Sequence, residues 1–157
     1  MAGARSHEEL VVWQLAHELK VKVYGLIETG SVTRDFDFCG QLRWSGSSAP
    51  RNIAEGFGRY LPGHFIHYLR IANGELKETY DALQDGCDRK HFSRDEVLPL
   101  LRLSKRCSKA IGGLIAYLQK STPPNEPPHR RRPQRAKPSV DSEPREPDLN
   151  REPDPER

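Results

Sequence analysis

Four positively charged side chains recur at steps of three, one and three near residue 105: Arg102, Lys105, Arg106 and Lys109. At about 100° per residue, a helix would project all four from one side, opposite an apolar stripe. Arg70 and Lys77 would likewise share a face of the preceding helix. Such clusters can neutralise phosphates and release counterions, which gives salt-sensitive binding to RNA or DNA without sequence preference. The alternative is an ordinary solvated face, because helical bundles need charged exteriors.

The sequence contains no complete catalytic or metal-binding motif. His64 and His67 have a spacing that can share a metal, but the Glu-x-x-His pattern of carboxylate-bridged metal bundles does not occur. Asn52 and Glu55 have no nucleophile or second acid at a matching spacing. We interpret them as hydrogen-bonding groups that satisfy the backbone around Pro50 or bond to a neighbouring helix. The sequence therefore predicts neither a cofactor nor an enzymatic activity.

The composition changes sharply near Ser121. All twelve aromatic residues precede that point, whereas ten of the thirteen prolines follow it. The later segment has too few apolar residues to offset the entropy of ordering. We therefore predict a folded domain over residues 1–120 and a disordered Pro/Arg-rich tail over residues 121–157. Within that tail, a basic run at 129–137 precedes an acidic run at 141–156. These runs suit either a nucleic-acid-binding arm or a solubilising linker.

The cysteine pattern and the N-terminal sequence favour a reducing compartment inside the cell. Cys39, Cys87 and Cys107 form no CxxC pair, and each falls on or beside an apolar stripe. This pattern is typical of small buried side chains in a reducing compartment. The N-terminus lacks an apolar signal segment, and the longest apolar run without charge is too short to span a bilayer. The sequence predicts a soluble cytoplasmic protein.

Four segments carry apolar residues at alternating steps of four and three, the period of amphipathic helices. Ser6 with Glu9, and Ser93 with Glu96, fit capping boxes that open the first and fourth helices. Gly74 interrupts the third helix at a cost of about 1 kcal/mol against alanine, which close packing of a neighbouring helix would offset. Short polar loops join the segments. The sequence thus predicts an all-α fold, an antiparallel up-down four-helix bundle.

The second helix has an unusual sequence between Gln41 and Arg59. Small residues crowd together at 45–49, and Pro50 follows where it would cost a helix interior about 3 kcal/mol. Small side chains let another helix backbone approach, so we interpret this helix as the contact-making one. Trp44 lies beside its inward set, where a large ring could anchor a subunit interface. The sequence marks Trp44 as a candidate oligomer contact.

Three runs of these helices form a specific pattern. They are Val12-Trp13-Gln14 in the first helix, Ser48-Ala49-Pro50-Arg51-Asn52-Ile53-Ala54-Glu55-Gly56 in the second, and Leu114-Ile115 with Tyr117-Leu118 in the fourth. In this order they resemble the opening, the signature and the end of the bacterial four-helix-bundle proteins found in intervening sequences of large-subunit ribosomal RNA genes. Residues 44–47 and His64 depart from the pattern, and residues 121–157 have no counterpart in it.

The resemblance implies a homo-oligomer, with a pentameric ring as the best-known form. More distantly, the chain is similar to the accessory protein of diversity-generating retroelements, which binds a reverse transcriptase and nucleic acid through basic surfaces. The combined expectation is a non-enzymatic, oligomeric, nucleic-acid-associated accessory protein with RNA or DNA, and a reverse transcriptase, as partners. The alternative is a protein-assembly module with no nucleic-acid role.

Overall fold

The computed structural model describes residues 4–59 and 61–121, and these form four α-helices joined by short connections. The helices are α1 (Val11–Ile27), α2 (Phe36–Gly58), α3 (Pro62–Asp88) and α4 (Arg94–Ser121). Helices α1 and α3 each pack against both α2 and α4, so α2 and α4 lie diagonally across the bundle. Because consecutive helices are neighbours with short loops, they run antiparallel. The predicted all-α up-down four-helix bundle is confirmed.

Apolar side chains from all four helices fill one continuous core. The largest of those that are completely buried are Leu19, Leu42, Ile53, Leu69, Leu76, Leu83 and Ile111. Each of them belongs to a predicted stripe. Leu15 and Leu103 are also buried. The predicted stripes did not include them, since they ran through Val12, Ala16 and Leu19 in α1 and through Leu100, Leu101 and Ser104 in α4. A strict alternation of steps of four and three is therefore narrower than the face that a bundle helix buries.

The two predicted capping boxes have different outcomes. Ser93 and Glu96 form the predicted pair, since the Ser93 backbone N–H donates to Glu96 Oε2 (2.8 Å) and the Glu96 N–H donates to Ser93 Oγ (3.3 Å). The prediction for Ser6 is wrong. Ser6 precedes a 3₁₀ turn at His7–Glu9 and makes no side-chain capping bond, and α1 begins later, after Leu10. Helix α2 is capped by Asp35, which accepts from the Phe38 N–H at 3.1 Å.

The small residues before Pro50 do let a neighbouring helix approach. Ser45, Gly46, Ala49 and Pro50 are all buried within α2. A Cβ placed on Gly46 would lie 3.2 Å from a methyl group of Val23 on α1. The predicted contact-making role of this stretch is therefore confirmed, and α1 is the helix it contacts.

Gly74 does not have the role predicted for it. It is exposed, and a Cβ at that position would meet nothing within 4 Å. Close approaches occur instead at Gly56, where a Cβ would lie 2.5 Å from Tyr68 Cβ, and at Gly86, where it would meet Phe92 at the same distance. The tight α2–α3 contact therefore lies near the end of α2, not in the middle of α3.

The predicted disordered tail lies outside the described residues from position 122 onward, as does Tyr60. Over the range that is described, no helix combines the length and apolar character needed to cross a membrane.

Candidate nucleic-acid interface

Helix α4 separates its apolar and basic residues onto opposite sides. Its buried residues are Val97, Leu100, Leu103, Ser104, Cys107 and Ile111. The four predicted cations Arg102, Lys105, Arg106 and Lys109 are all exposed. At about 100° per residue, they occupy a sector of roughly 100° centred opposite the buried residues. We call these four residues the α4 basic face.

No acidic side chain among the described residues forms an ion pair with this face. Between residues 97 and 121, α4 contains no Asp or Glu. Across residues 4–59 and 61–121, ion pairs involve Lys22, Arg59, Arg89 and His91, but none of the four α4 cations. Lys120 lies about five turns after Arg102 and therefore extends the same side of the helix. The sequence interpretation missed Lys120, although a simple helical period would have found it.

A groove between α3 and α4 brings two of the predicted residues together. Lys77 and Lys105 both line this open groove, which has a volume of about 390 Å³. Lys105 Nζ lies 5.1 Å from the centre of the Tyr80 ring. Arg70 is exposed on α3 but does not line the groove. Lys77 therefore lies next to the α4 basic face. Arg70 lies on α3 outside the groove lining.

A buried hydrogen bond holds α4 against α3 behind the groove. Ser104 Oγ donates to the Leu76 backbone oxygen at 3.0 Å, across twenty-eight residues of sequence. A buried hydroxyl without a partner would cost free energy, so this bond specifies how the two helices meet. Their registry fixes the position of Lys105 relative to Tyr80.

Trp44 lies far from the α4 basic face. Its side chain is 60% exposed on α2, the helix diagonal to α4. The guanidinium carbon of Arg51 lies 5.1 Å from the centre of the ring. Trp44 therefore lies on the helix that is diagonally across the bundle from the α4 basic face.

Glu55 forms a polar link between α2 and α3. The Tyr68 hydroxyl donates to Glu55 Oε1 at 2.7 Å, and Arg59 Nη2 donates to the same oxygen at 2.6 Å. The Arg59 bond, followed by the Tyr68 bond, lowers the pKa of Glu55, while the bond to Glu55 raises the pKa of Tyr68. Glu55 thus bonds to a neighbouring helix, as predicted. Asn52 instead donates to Ser48 O within α2 at 2.9 Å.

A second polar cluster joins the two loops at one end of the bundle. Asp35 caps α2 and also contacts two residues of the other loop. Its Oδ2 atom lies 3.0 Å from His91 Nε2 and 3.5 Å from Arg89 Nη1. Two hydrogen bonds lower the pKa of Asp35. The larger effect comes from the Phe38 backbone N–H and the next from His91. Both clusters tie elements of the bundle together, and the raised pKa of Tyr68 keeps its hydroxyl protonated beside Glu55.

Cys39 and Cys107 are buried, as predicted, whereas Cys87 is only half-buried. Burial raises the pKa of Cys107 to about 12, and burial also raises the pKa of Cys39 and Cys87. At neutral pH these groups are therefore protonated and weakly nucleophilic. In the part of the chain that the structure describes, no three His, Cys, Asp or Glu side chains gather as a metal site would require.

The geometry defines a class of protein: a small antiparallel four-helix bundle whose fourth helix presents a cationic face that forms no ion pair with residues 4–59 and 61–121. The family model of the 23S rRNA-intervening sequence proteins matches residues 8–113. The chain therefore belongs to the family of 23S rRNA-intervening sequence proteins. The family resemblance predicted from the sequence is confirmed.

One solved structure supports the fold. The chain is similar to the crystal structure of a protein of unknown function from the S23 ribosomal protein family of Bacteroides thetaiotaomicron. The two share 24% sequence identity with a TM-score of 0.61, over 67% of this chain and 98% of the other. At this identity the likeness concerns the fold alone. A comparison with curated proteins gave no match.

Proposed function

We propose that this protein binds RNA phosphates through the α4 basic face and acts as a non-enzymatic accessory protein. One observation carries the proposal: four exposed cations share one side of α4 and have no acidic partner within the described residues. Cations already paired with carboxylates would have to break those pairs before they met a phosphate. Unpaired cations bind phosphates without that cost.

The family supports RNA as the ligand. Its description links these proteins to intervening sequences of 23S rRNA, and an A-form RNA helix presents its phosphates to side chains without requiring base readout. Binding of this kind is strong at low salt and weakens steeply as salt rises. DNA and a reverse-transcriptase-like protein stay predictions as further partners, and so does a cytoplasmic location.

The test compares two variants of the full-length protein that carry the same net charge. The first replaces Arg102, Lys105, Arg106 and Lys109 with glutamate. The matched control replaces four basic residues that lie outside α3 and α4, namely Arg5, Lys22, Arg34 and Arg43. Each variant is titrated into a fluorescently labelled RNA at low salt, and binding is followed by anisotropy.

We expect the α4 variant to lose at least a hundredfold in RNA affinity, because it loses four phosphate contacts and gains four repulsive charges. The control variant should lose far less, since only the general field of the protein changes. Equal losses in the two variants would show that net charge, and not the α4 basic face, determines binding. No binding by the unmodified protein at low salt would overturn the proposal.

A second function is favoured by a different surface. The exposed Trp44 ring on α2 is typical of side chains that anchor protein interfaces. We propose that it lies in the contact of a homo-oligomer, for which a pentamer is the form that the family resemblance implies. If RNA binding fails, a protein-assembly module built on this surface is the alternative function.

A further inference from the structure

The groove between α3 and α4 is lined by aromatic and polar groups as well as by the lysines that phosphate binding would require. Its lining includes the Tyr80 ring as well as Lys77 and Lys105, and Gln84 and Asp81 contribute polar groups. Its volume of about 390 Å³ falls within the range of roughly 300–1,000 Å³ that is usual for small-ligand sites. A duplex recognised by its backbone would not use such a concave surface, since its bases are stacked inside.

Tyr80 is half-buried, and the ammonium of Lys105 lies over its ring. An exposed cation–π contact of this kind is weaker than the stacking of a nucleobase on an aromatic ring. A base could therefore replace Lys105 on the ring at a net gain. The displaced ammonium, which has no acidic partner within the described residues, would then be free to bind a phosphate of the same nucleotide.

We propose that the α3–α4 groove binds an unpaired nucleotide of single-stranded RNA, with the base stacked on Tyr80 and its phosphate between Lys77 and Lys105. Asp81 also lines the groove, and its carboxylate can accept hydrogen bonds from N–H groups of the base. This inference rests on the proposed RNA binding and specifies its substrate: loops and unpaired ends, in which bases are available for stacking.

The experiment uses the full-length protein with two RNA probes, a single-stranded oligonucleotide that carries 2-aminopurine and a blunt duplex. Tyr80→Leu removes the ring, and Tyr80→Phe keeps it. The matched control is Tyr24→Leu, because Lys20 lies over the Tyr24 ring at 5.5 Å in the same kind of pair on α1, away from the groove. Circular dichroism checks that each variant keeps its helix content.

Tyr80→Leu should weaken binding of the single strand on the order of tenfold and leave duplex binding unchanged, since stacking is lost and phosphate contacts remain. It should also abolish the change in 2-aminopurine emission that the unmodified protein produces. Tyr80→Phe and Tyr24→Leu should behave like the unmodified protein in both measurements.

Two results would overturn the inference, and they are distinguishable. If Tyr80→Leu binds both probes like the unmodified protein while the α4 glutamate variant loses them, the groove is not a nucleotide site and the proposed function stands. If the unmodified protein binds neither probe at low salt, the proposed function fails and the groove assignment fails with it.

Discussion

The Asp35 side chain contacts two different elements at one end of the bundle. Its Oδ1 atom caps α2, and its Oδ2 atom holds His91 and Arg89 from the loop between α3 and α4. The same carboxylate thus fixes the start of one helix and the approach to another. Because its pKa is lowered, these contacts belong to the ionised form, and their contribution to stability depends on pH.

Asp35→Asn should lower the stability of the protein at pH 7 and have a smaller effect near pH 3. Asparagine retains the cap but loses the charge that His91 and Arg89 contact. A carboxylate whose folded-state pKa lies below its usual value of 3.8 stabilises the fold above that pH, and this contribution is lost as the pH falls through the lower pKa. Urea midpoints of both proteins at the two pH values measure the effect. An equal difference in midpoint at both values would contradict it.

The α4 cations were visible in the sequence because charge and helical period are both local properties. Tyr80 was not recognised as a site residue, because its spacing matches the apolar stripe of α3. Only the position of α4 shows that its ring lies at the edge of the core, under Lys105. Which groups meet across two helices depends on helix registry, which a single sequence does not reveal.

Helices α2 and α3 meet most closely where α2 ends. A Cβ on Gly56 would lie 2.5 Å from Tyr68 Cβ and 3.0 Å from the Phe65 ring. Tyr68 Cβ is fixed to the α3 backbone, so the two helices would have to separate. The Glu55–Tyr68 hydrogen bond spans the same contact. The signature sequence around Pro50 therefore ends in a close packing of two helices.

Replacing glycine with alanine should have opposite effects on stability at Gly56 and at Gly74. Gly56→Ala should destabilise the fold by about 1–3 kcal/mol, because the added methyl overpacks the α2–α3 contact. Gly74→Ala should stabilise it by up to about 1 kcal/mol, because that position is open and alanine is the better helix former. Chemical denaturation of both variants measures the two signs. A stabilising Gly56→Ala would show that α3 does not approach α2 as described.

The four helices and most of the core could be predicted from the sequence, because the apolar period and the short loops leave few alternatives. The helix starts were less predictable. Ser93 and Ser6 are both followed by glutamate three residues later, yet only Ser93 forms the capping box. At Glu9 the carboxylate accepts instead from the Arg5 backbone N–H at 2.8 Å. The predicted close packing at Gly74 was wrong. Helix propensity gives the free-energy cost of a glycine but does not show which residues pack against it.

Considered as a whole, the bundle presents its two candidate surfaces on diagonal helices. Trp44 on α2 and the α4 basic face point away from each other. An assembly that buried the α2 surface would leave the basic faces of all subunits free. Several basic faces in one assembly would raise RNA affinity through effective concentration, without new contacts within any subunit.

Trp44→Ala should shift the assembly toward smaller species. Truncating an anchoring aromatic side chain at the centre of an interface typically costs about 2 kcal/mol or more, which is roughly a thirtyfold change in the dissociation constant. Light scattering on a sizing column measures the mass, and Tyr117→Ala, which removes another exposed aromatic ring, is the control. An unchanged mass for Trp44→Ala would remove it from the interface.

The salt dependence of RNA binding tests the role of the α4 basic face most directly. Log Kobs is measured against log salt for the unmodified protein and for a variant with glutamine at Arg102, Lys105, Arg106 and Lys109. Each phosphate contact contributes about 0.7 to the slope on a single strand, so the slope of the variant should be shallower by about two to three. Glutamine at Arg5, Lys22, Arg34 and Arg43 should leave the slope near that of the unmodified protein. Identical slopes for the α4 variant and the unmodified protein would show that RNA phosphates do not contact this face.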